Sequence, residues 1–314
     1  MTAYILRRLV ALVPVLILSG IAIFLLMRFI PGDPALMLVG TEATPEQIET
    51  LRALLGLNRP IHEQFVQWAS HLLRGDLGIS IIQRRPVVDI LMERFPLTLL
   101  LALLATLISL AIGIPSGIIA AIKRNQLWDK LVLIAAMGGV SIPNFWLGVM
   151  LLSLFSVVLG WFPLQGYVSP LTSPVESLRS LFLPALALGA VQAALVARMV
   201  RSTMLEVLGQ DYMRTARAKG LRESVVIGRH ALRSSLLPVV TVVGNNFGHL
   251  LGGSVVIETV FGLPGIGRFM ITSIFNRDYA AVQGTLLFVV LLFVVLNILV
   301  DVLYVYLDPR IKYA

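Results

Sequence analysis

Read for uninterrupted apolar runs, the chain divides into six long windows separated by short charged stretches. Leu9 to Met27 carries no charge. Residues 95–122 lie between Arg94 and Lys123, 131–175 between Lys130 and Glu176, and 180–197 between Arg179 and Arg198. Residues 234–257 lie between Arg233 and Glu258, and 279–300 between Asp278 and Asp301. A helix crosses the hydrocarbon core of a bilayer with about 20 apolar residues, and each window is close to or beyond that length. The third window has room for two helices. Pro163, Gly166, Pro170 and Pro174 break its latter third, so the pattern predicts one span at about 131–160. The fourth is short and contains Pro184.

The stretch between the first two windows, 31–95, has a different grammar. Thr44-Pro45-Glu46-Gln47 predicts a helix start, with Thr at the N-cap, Pro at the first helical position and Gln placed to close a capping box. Gly56 suits the stop. Ile61, Phe65, Trp68 and Leu72 fall at helical spacing, predicting a second helix over 61–73. Arg85-Pro86 predicts a short helix leading into the second span. Glu42, Glu46 and Glu49 resemble paired acids, but a solvated face on the first helix accounts for them. The segment is too small for a domain of its own and reads as a cap on the membrane core.

Composition sharpens this picture. The chain is 57% hydrophobic and 13% charged, against about one quarter charged for soluble domains, which makes it an integral membrane protein. The net charge of +8 does not imply nucleic acid, because the basic residues sit in loops beside apolar spans. Fifteen Lys/Arg fall in the segments at one side of the membrane and four in the short segments at the other. Short cytoplasmic loops collect Lys/Arg, so both termini and the basic loop are expected inside and 31–95 outside, in a prokaryotic plasma or inner membrane. Arg7 and Arg8 precede an apolar run longer than a signal-peptide core, with no small-x-small site after it, which predicts an uncleaved first helix. The expected layout is a first span over 1–30, the outer segment 31–95, a core over 96–307 and a tail over 308–314. There are no cysteines, hence no disulfides or thiolate sites.

Enzyme chemistry is missing from the sequence. No phosphate-cradling G-x-x-x-x-G-K-[ST] loop is present. His62-Glu63 begins like a zinc-protease helix, but Val66 stands where the second His is required. His62 and His71 then read as surface residues. Within the spans, ionisable groups are scarce, unlike the buried acids of ion-driven carriers. Thr241, Asn245 and His249 make a polar stripe at i, i+4 and i+8, which either lines a pathway or bonds a neighbouring helix. Phe261-Gly-Leu-Pro-Gly-Ile-Gly267 is glycine-rich without being a dinucleotide loop. With Glu258, Pro264 and Gly265 it reads as a connector, or as a gate or contact at the outer mouth.

The basic stretch from Arg198 to Arg233 holds eight Lys/Arg. Each costs about 2.5 kcal/mol or more mid-bilayer, so the stretch stays in water. Gly220 divides it into two helical halves. Leu205, Leu208, Tyr212 and Ala216 form an apolar stripe in the first; Leu221, Val225, Leu232 and Leu236 repeat in the second. Asp211 supports Arg214 at i, i+3. An apolar stripe with acids beside the bases predicts a compact knob that docks in a protein groove.

These residues resemble a known family. Asp211-Tyr-Met-Arg-Thr-Ala-Arg-Ala-Lys-Gly-Leu221, then Arg229-His-Ala-Leu-Arg233 and Leu236-Leu-Pro238, is similar to the EAA loop of ABC-importer permeases, in particular the dipeptide, oligopeptide and nickel group. Arg214-Thr215-Ala216 stands for the Glu-Ala-Ala, Gly220 for the glycine and Pro238 for the proline. Tyr4-Ile-Leu-Arg-Arg8, Pro31-Gly-Asp-Pro34, Arg74-Gly-Asp-Leu-Gly78, Ser141-Ile-Pro-Asn-Phe-Trp146, Glu258–Gly267 and Leu307-Asp-Pro-Arg310 agree. The resemblance implies an all-α type I importer permease fold with six spans and no catalytic role. It implies a second permease subunit, two cytoplasmic ATPases that bind ATP and magnesium, and an extracytoplasmic solute-binding protein. Residues 202–236, including Asp211, Tyr212, Arg214, Ala216, Arg217, Gly220, Arg229 and Pro238, would couple to the ATPases. A self-powered secondary carrier is the rival of a different class.

Overall fold

The computed structural model describes residues 2–29, 44–54 and 56–307. Glu42, the Pro31–Pro34 motif, residues 308–310 of the Leu307–Arg310 motif and the 308–314 tail lie outside them. The described chain is helical: α1 (Thr2–Phe29), α2 (Pro45–Leu54), α3 (Ile61–Leu73), α4 (Val87–Ile122), α5 (Leu127–Ser141), α6 (Asn144–Leu151), α7 (Pro174–Leu208), α8 (Asp211–Ala218), α9 (Leu232–Gly253), α10 (Val255–Val260), α11 (Ile266–Phe275) and α12 (Tyr279–Leu307). Among the described residues, four helices are long and apolar enough to cross a membrane: α1, α4, α7 and α12. Two bent pairs bring the number to six if each is one span.

The bundle is organised by α4 and α7, whose backbones touch. A Cβ on Gly117 would lie 2.6 Å from the Ala197 carbonyl oxygen, and one on Gly189 would lie 2.6 Å from that of Ala105. Small residues at such contacts are how apolar helices associate where lipid removes the hydrophobic drive. Above and below this seam, Leu97, Leu101, Leu181, Leu188 and Ile257 form one buried cluster, and Val196, Val200, Met204, Met213 and Val226 a second. Prolines 96, 115 and 184 are carried inside these two helices, as membrane helices tolerate.

Several sequence expectations need correction. The fourth span is not confined to 180–197. It belongs to a 35-residue helix whose Ser173 N-cap accepts the Glu176 N–H at 3.4 Å, with Pro174 at the first turn. Arg198 and Arg201 therefore continue the helix instead of opening a loop. The third window is not one straight span, because α5 and the helix from Asn144 to Val158 meet at 98°. Ile142 is extended (ψ 121°) ahead of Pro143, as the ring's clash with the preceding residue demands. Nor does Arg85-Pro86 open a separate short helix. It starts α4 itself, with the Val87 N–H held by the Gly78 carbonyl at 2.9 Å.

Other expectations stand. The Thr44 hydroxyl accepts the Gln47 N–H at 3.3 Å, and the Gln47 side chain accepts the Thr44 N–H at 3.0 Å, a closed capping box. Phe65 and Trp68 of α3 pack on Phe24 of α1 with ring centroids 5.3 and 5.4 Å apart. The segment is fastened to the bundle at Asp278. That buried carboxylate accepts from the Ser80 hydroxyl (2.5 Å) and the Ala281 N–H at the start of α12 (3.2 Å).

Candidate functional site

Two regions carry the polar residues singled out above, one at each end of α9. At its beginning, α7 runs out to Leu208, turns through Gly209 and Gln210, and continues as α8. The buried face of α8 is Met213 and Ala216, packed on Val200, Met204 and Val226. Tyr212 lies on the other face and is 45% exposed. The expected stripe holds at Ala216, with Leu205 and Leu208 packed on the same cluster, but Met213 takes the place given to Tyr212. Met213, overlooked in the sequence, is the residue that anchors the helix, while Tyr212 is free for something else.

Gly220 ends this element with φ +76°, the left-handed region that costs other residues about 1–2 kcal/mol. The Arg217 guanidinium reaches across the turn to Glu223 at 2.8 Å, and that carboxylate raises the arginine's pKa. Asp211 and Arg214 make the expected i, i+3 pair at 3.5 Å, both exposed. The second half is not an independent amphipathic helix. Glu223–Val225 passes through wide helical turns at Val226–Ala231, where Arg229 is exposed, straight into α9. Gly228 falls among those wide turns without ending the helix, and Pro238 lies within α9, where the axis bends by 49°. Leu221 and Val225 are 40% and 36% exposed beside Tyr212's element. Tyr212, Leu221 and Val225 are thus exposed on the same segment as the exposed Arg214, Arg217, Lys219 and Arg222.

The other end of α9 is built inward. Glu258 is fully buried, and its carboxylate accepts three hydrogen bonds: the hydroxyls of Ser254 (2.8 Å) and Thr98 (3.0 Å), and the Arg268 N–H (2.9 Å) in the first turn of α11. Thr98 accepts the Ile266 N–H in turn, at 3.0 Å. A carboxylate at a helix start satisfies N–H groups that have no partner within the helix. Gly265 has no room for a side chain, since its Cβ would fall 2.3 Å from the Glu258 Cδ. Gly267 presses on the Val255 backbone, and Phe261 is buried. Of the five residues named for the outer mouth, only Pro264 is exposed.

Along α9, the three stripe residues do not present one surface. The Thr241 hydroxyl is buried without a hydrogen-bond partner among the described residues. Asn245 and His249 are exposed. His249 stands beside Phe293, ring centroids 5.9 Å apart, in a crevice of about 470 Å³ bordered by Val15 and Ser19 of α1. None of the three hydrogen-bonds to a neighbouring helix among the described residues.

Comparison with known proteins adds to this geometry. Residues 113–313 match the model of the binding-protein-dependent transport system inner membrane component, and residues 1–102 match that family's N-terminal model. A protein of Brucella abortus (strain 2308) named as a peptide transport system permease is 49% identical over 313 residues, covering all of both chains. The glutathione transport system permease protein GsiC of Escherichia coli (strain K12) is 42% identical over the same full length. In fold, the chain is similar to one from the MetNI methionine ABC transporter. The TM-score is 0.57 at 19% identity, covering 70% of this chain and 96% of that one. Helical architecture, apolar spans and a family match along nearly the whole length agree: the chain belongs to the family of binding-protein-dependent transport system inner membrane components.

Proposed function

We propose that this chain is one of two paired permease subunits of an ATP-powered importer, and that its solute is a small peptide. Each bent helix pair counts as one span, giving six with both termini in the cytoplasm. The 31–95 segment faces outward, as the distribution of Lys/Arg supports. Full-length similarity to a peptide permease favours peptides. Similarity to a glutathione permease favours the same chemistry, since glutathione is itself a short peptide. Two cytoplasmic ATPases would bind the ATP and magnesium, and an extracytoplasmic binding protein would deliver the solute.

One observation carries the coupling assignment: Tyr212, Leu221 and Val225 are exposed on a basic knob anchored from behind by Met213. Aromatic residues with arginines around them are what protein grooves bind most strongly. The knob is therefore the ATPase-docking element, with Asp211, Arg214, Arg217 and Arg229 at its rim and Gly220 shaping the turn. Asn245 and His249 would cost energy against lipid, which supports a pathway wall shared with the second subunit. Pro264, the exposed tip of an otherwise packed loop, suits contact with the binding protein.

The test is reconstitution. The complete complex, purified with its partners and identified by mass spectrometry, should take up labelled dipeptide into proteoliposomes only with ATP. This subunit alone should show no uptake, with ATP or with a proton gradient. Gradient-driven uptake by the lone subunit would overturn the proposal and promote a secondary carrier.

A further inference from the structure

Asp129 stands at the charged beginning of α5, yet its side chain is only 3% exposed. Three donors converge on it: Arg201 Nε on Oδ1 at 2.6 Å, Arg201 Nη2 on Oδ2 at 2.9 Å, and the Asn125 N–H on Oδ2 at 2.8 Å. Asn125 is left-handed (φ 64°), so the same carboxylate also fixes the turn between α4 and α5. The pair joins elements 72 positions apart in sequence.

Its placement matters more than its strength. At its other end, α5 stops at Pro143, which has no N–H to carry the helical ladder onward, and the chain bends by 98° into α6. The 15 residues of α5 make a rod about 22 Å long. One end of that rod is a bend, where Gly139 lies close to Ala194 of α7; the other is clamped to α7 by the fork. Beyond Arg201, α7 runs to Leu208 and then directly into the knob helix α8. Apolar side chains of similar volume would fill the same space without the desolvation cost of two charges. A bidentate guanidinium–carboxylate fork adds a fixed angle and register between the two helices.

We propose that Asp129 and Arg201 are a positioning pair that makes α5 follow α7, so that displacement of the knob reaches the bend at Ile142–Pro143. The inference rests on the importer reading above and goes beyond it, because it names the link through which the ATPases would move this half of the pathway. It makes no claim about solute binding.

The experiment uses the complete reconstituted complex and measures solute moved per ATP hydrolysed, alongside assembly and Tm. Asp129→Asn and Arg201→Lys keep the shape of the site and lose the fork. The double variant D129L/R201M removes both charges, leaving neither unpaired, and so guards against misfolding of the singles. The expected result is assembled complexes that still hydrolyse ATP but move about tenfold less solute per ATP, a typical size for loss of coupling between sites. A wild-type ratio in the double variant, whether or not its Tm falls, overturns the link and leaves the importer reading intact. Absence of any ATP-dependent uptake by the wild-type complex overturns that reading instead, and the link with it.

Discussion

The two ends of α9 use polar residues in opposite ways. Around Glu258, every polar atom named is turned inward: two hydroxyls and one backbone N–H converge on a carboxylate that solvent does not reach. Around Tyr212, the ionic groups are paired only along the surface, and apolar side chains stand exposed among them. The first arrangement is complete within this chain. The second leaves apolar side chains uncovered by this chain. Glu258 and Asp211, both acids near a glycine in the sequence, thus divide into one that packs inside the subunit and one that stays on its surface.

The comparison breaks first on sidedness. Because the chain has no cysteine, single cysteines at positions 217 and 50 provide clean reporters for an impermeant thiol reagent in intact cells. Position 50 should label and position 217 should not. The reverse pattern would invert the assignment of the two ends.

Stability comes next. Glu258→Ala leaves two buried hydroxyls and an N–H without their acceptor, and the expected loss is about 3 kcal/mol or more. It should appear as a lower Tm and poor recovery of monodisperse protein in detergent. Gly265→Ala should do the same by sterics. If either variant is as stable as the parent, the end near Glu258 is not the closed structure described.

Tyr212→Ala sharpens the other side. A half-exposed ring contributes little to the fold, so Tm should barely move. Loss of an interface aromatic costs about 2 kcal/mol, or more than tenfold in ATPase affinity. Equal co-purification of ATPase with parent and variant would deny Tyr212 that role.

The smallest effect is at His71 and Asp76, paired at 2.9 Å near the junction of α3 and α4. The His71 hydrogen bond, and then the Gly78 N–H, hold the Asp76 carboxyl below its usual pKa. A lowered carboxylate pKa stabilises the fold above the ordinary value near 4 and loses that contribution as pH falls through the folded value. Both side chains are about half exposed, so Asp76→Asn should cost less than ~0.5 kcal/mol at pH 7. The difference should vanish in acid, as differential scanning calorimetry across pH would record.

Much of this was legible in the sequence where the signal is local. Thr44 and Gln47 cap one another because capping depends on residues three apart. The apolar windows located every long helix. What stayed hidden depends on partners far along the chain. Pro96, Pro115, Pro143 and Pro184 look alike in a hydropathy pattern, yet only Pro143 breaks its helix. Glu258 read as a polar residue near the end of a span, because nothing local shows that Thr98, 160 positions away, turns toward it. The knob's glycine and charges were visible, but Tyr212 was given the buried place that Met213 takes. Met213 and Tyr212 are adjacent and both large, and the cluster behind them decides which is buried.

The glycine seam between α4 and α7 bears on how the protein is made. Helix α4 enters the bilayer well before α7 has been synthesised, with α5 and α6 emerging in between. During that interval its future contact face carries Ala105, Gly113 and Gly117 as hollows, with Ile108 as the side chain that later meets Gly189. Close backbone approach rewards a partner shaped to those hollows, as α7 is with Val196 over Gly113 and Val200 over Gly117. The smallest side chains thereby keep this face of α4 shaped for α7, a helix that is synthesised later.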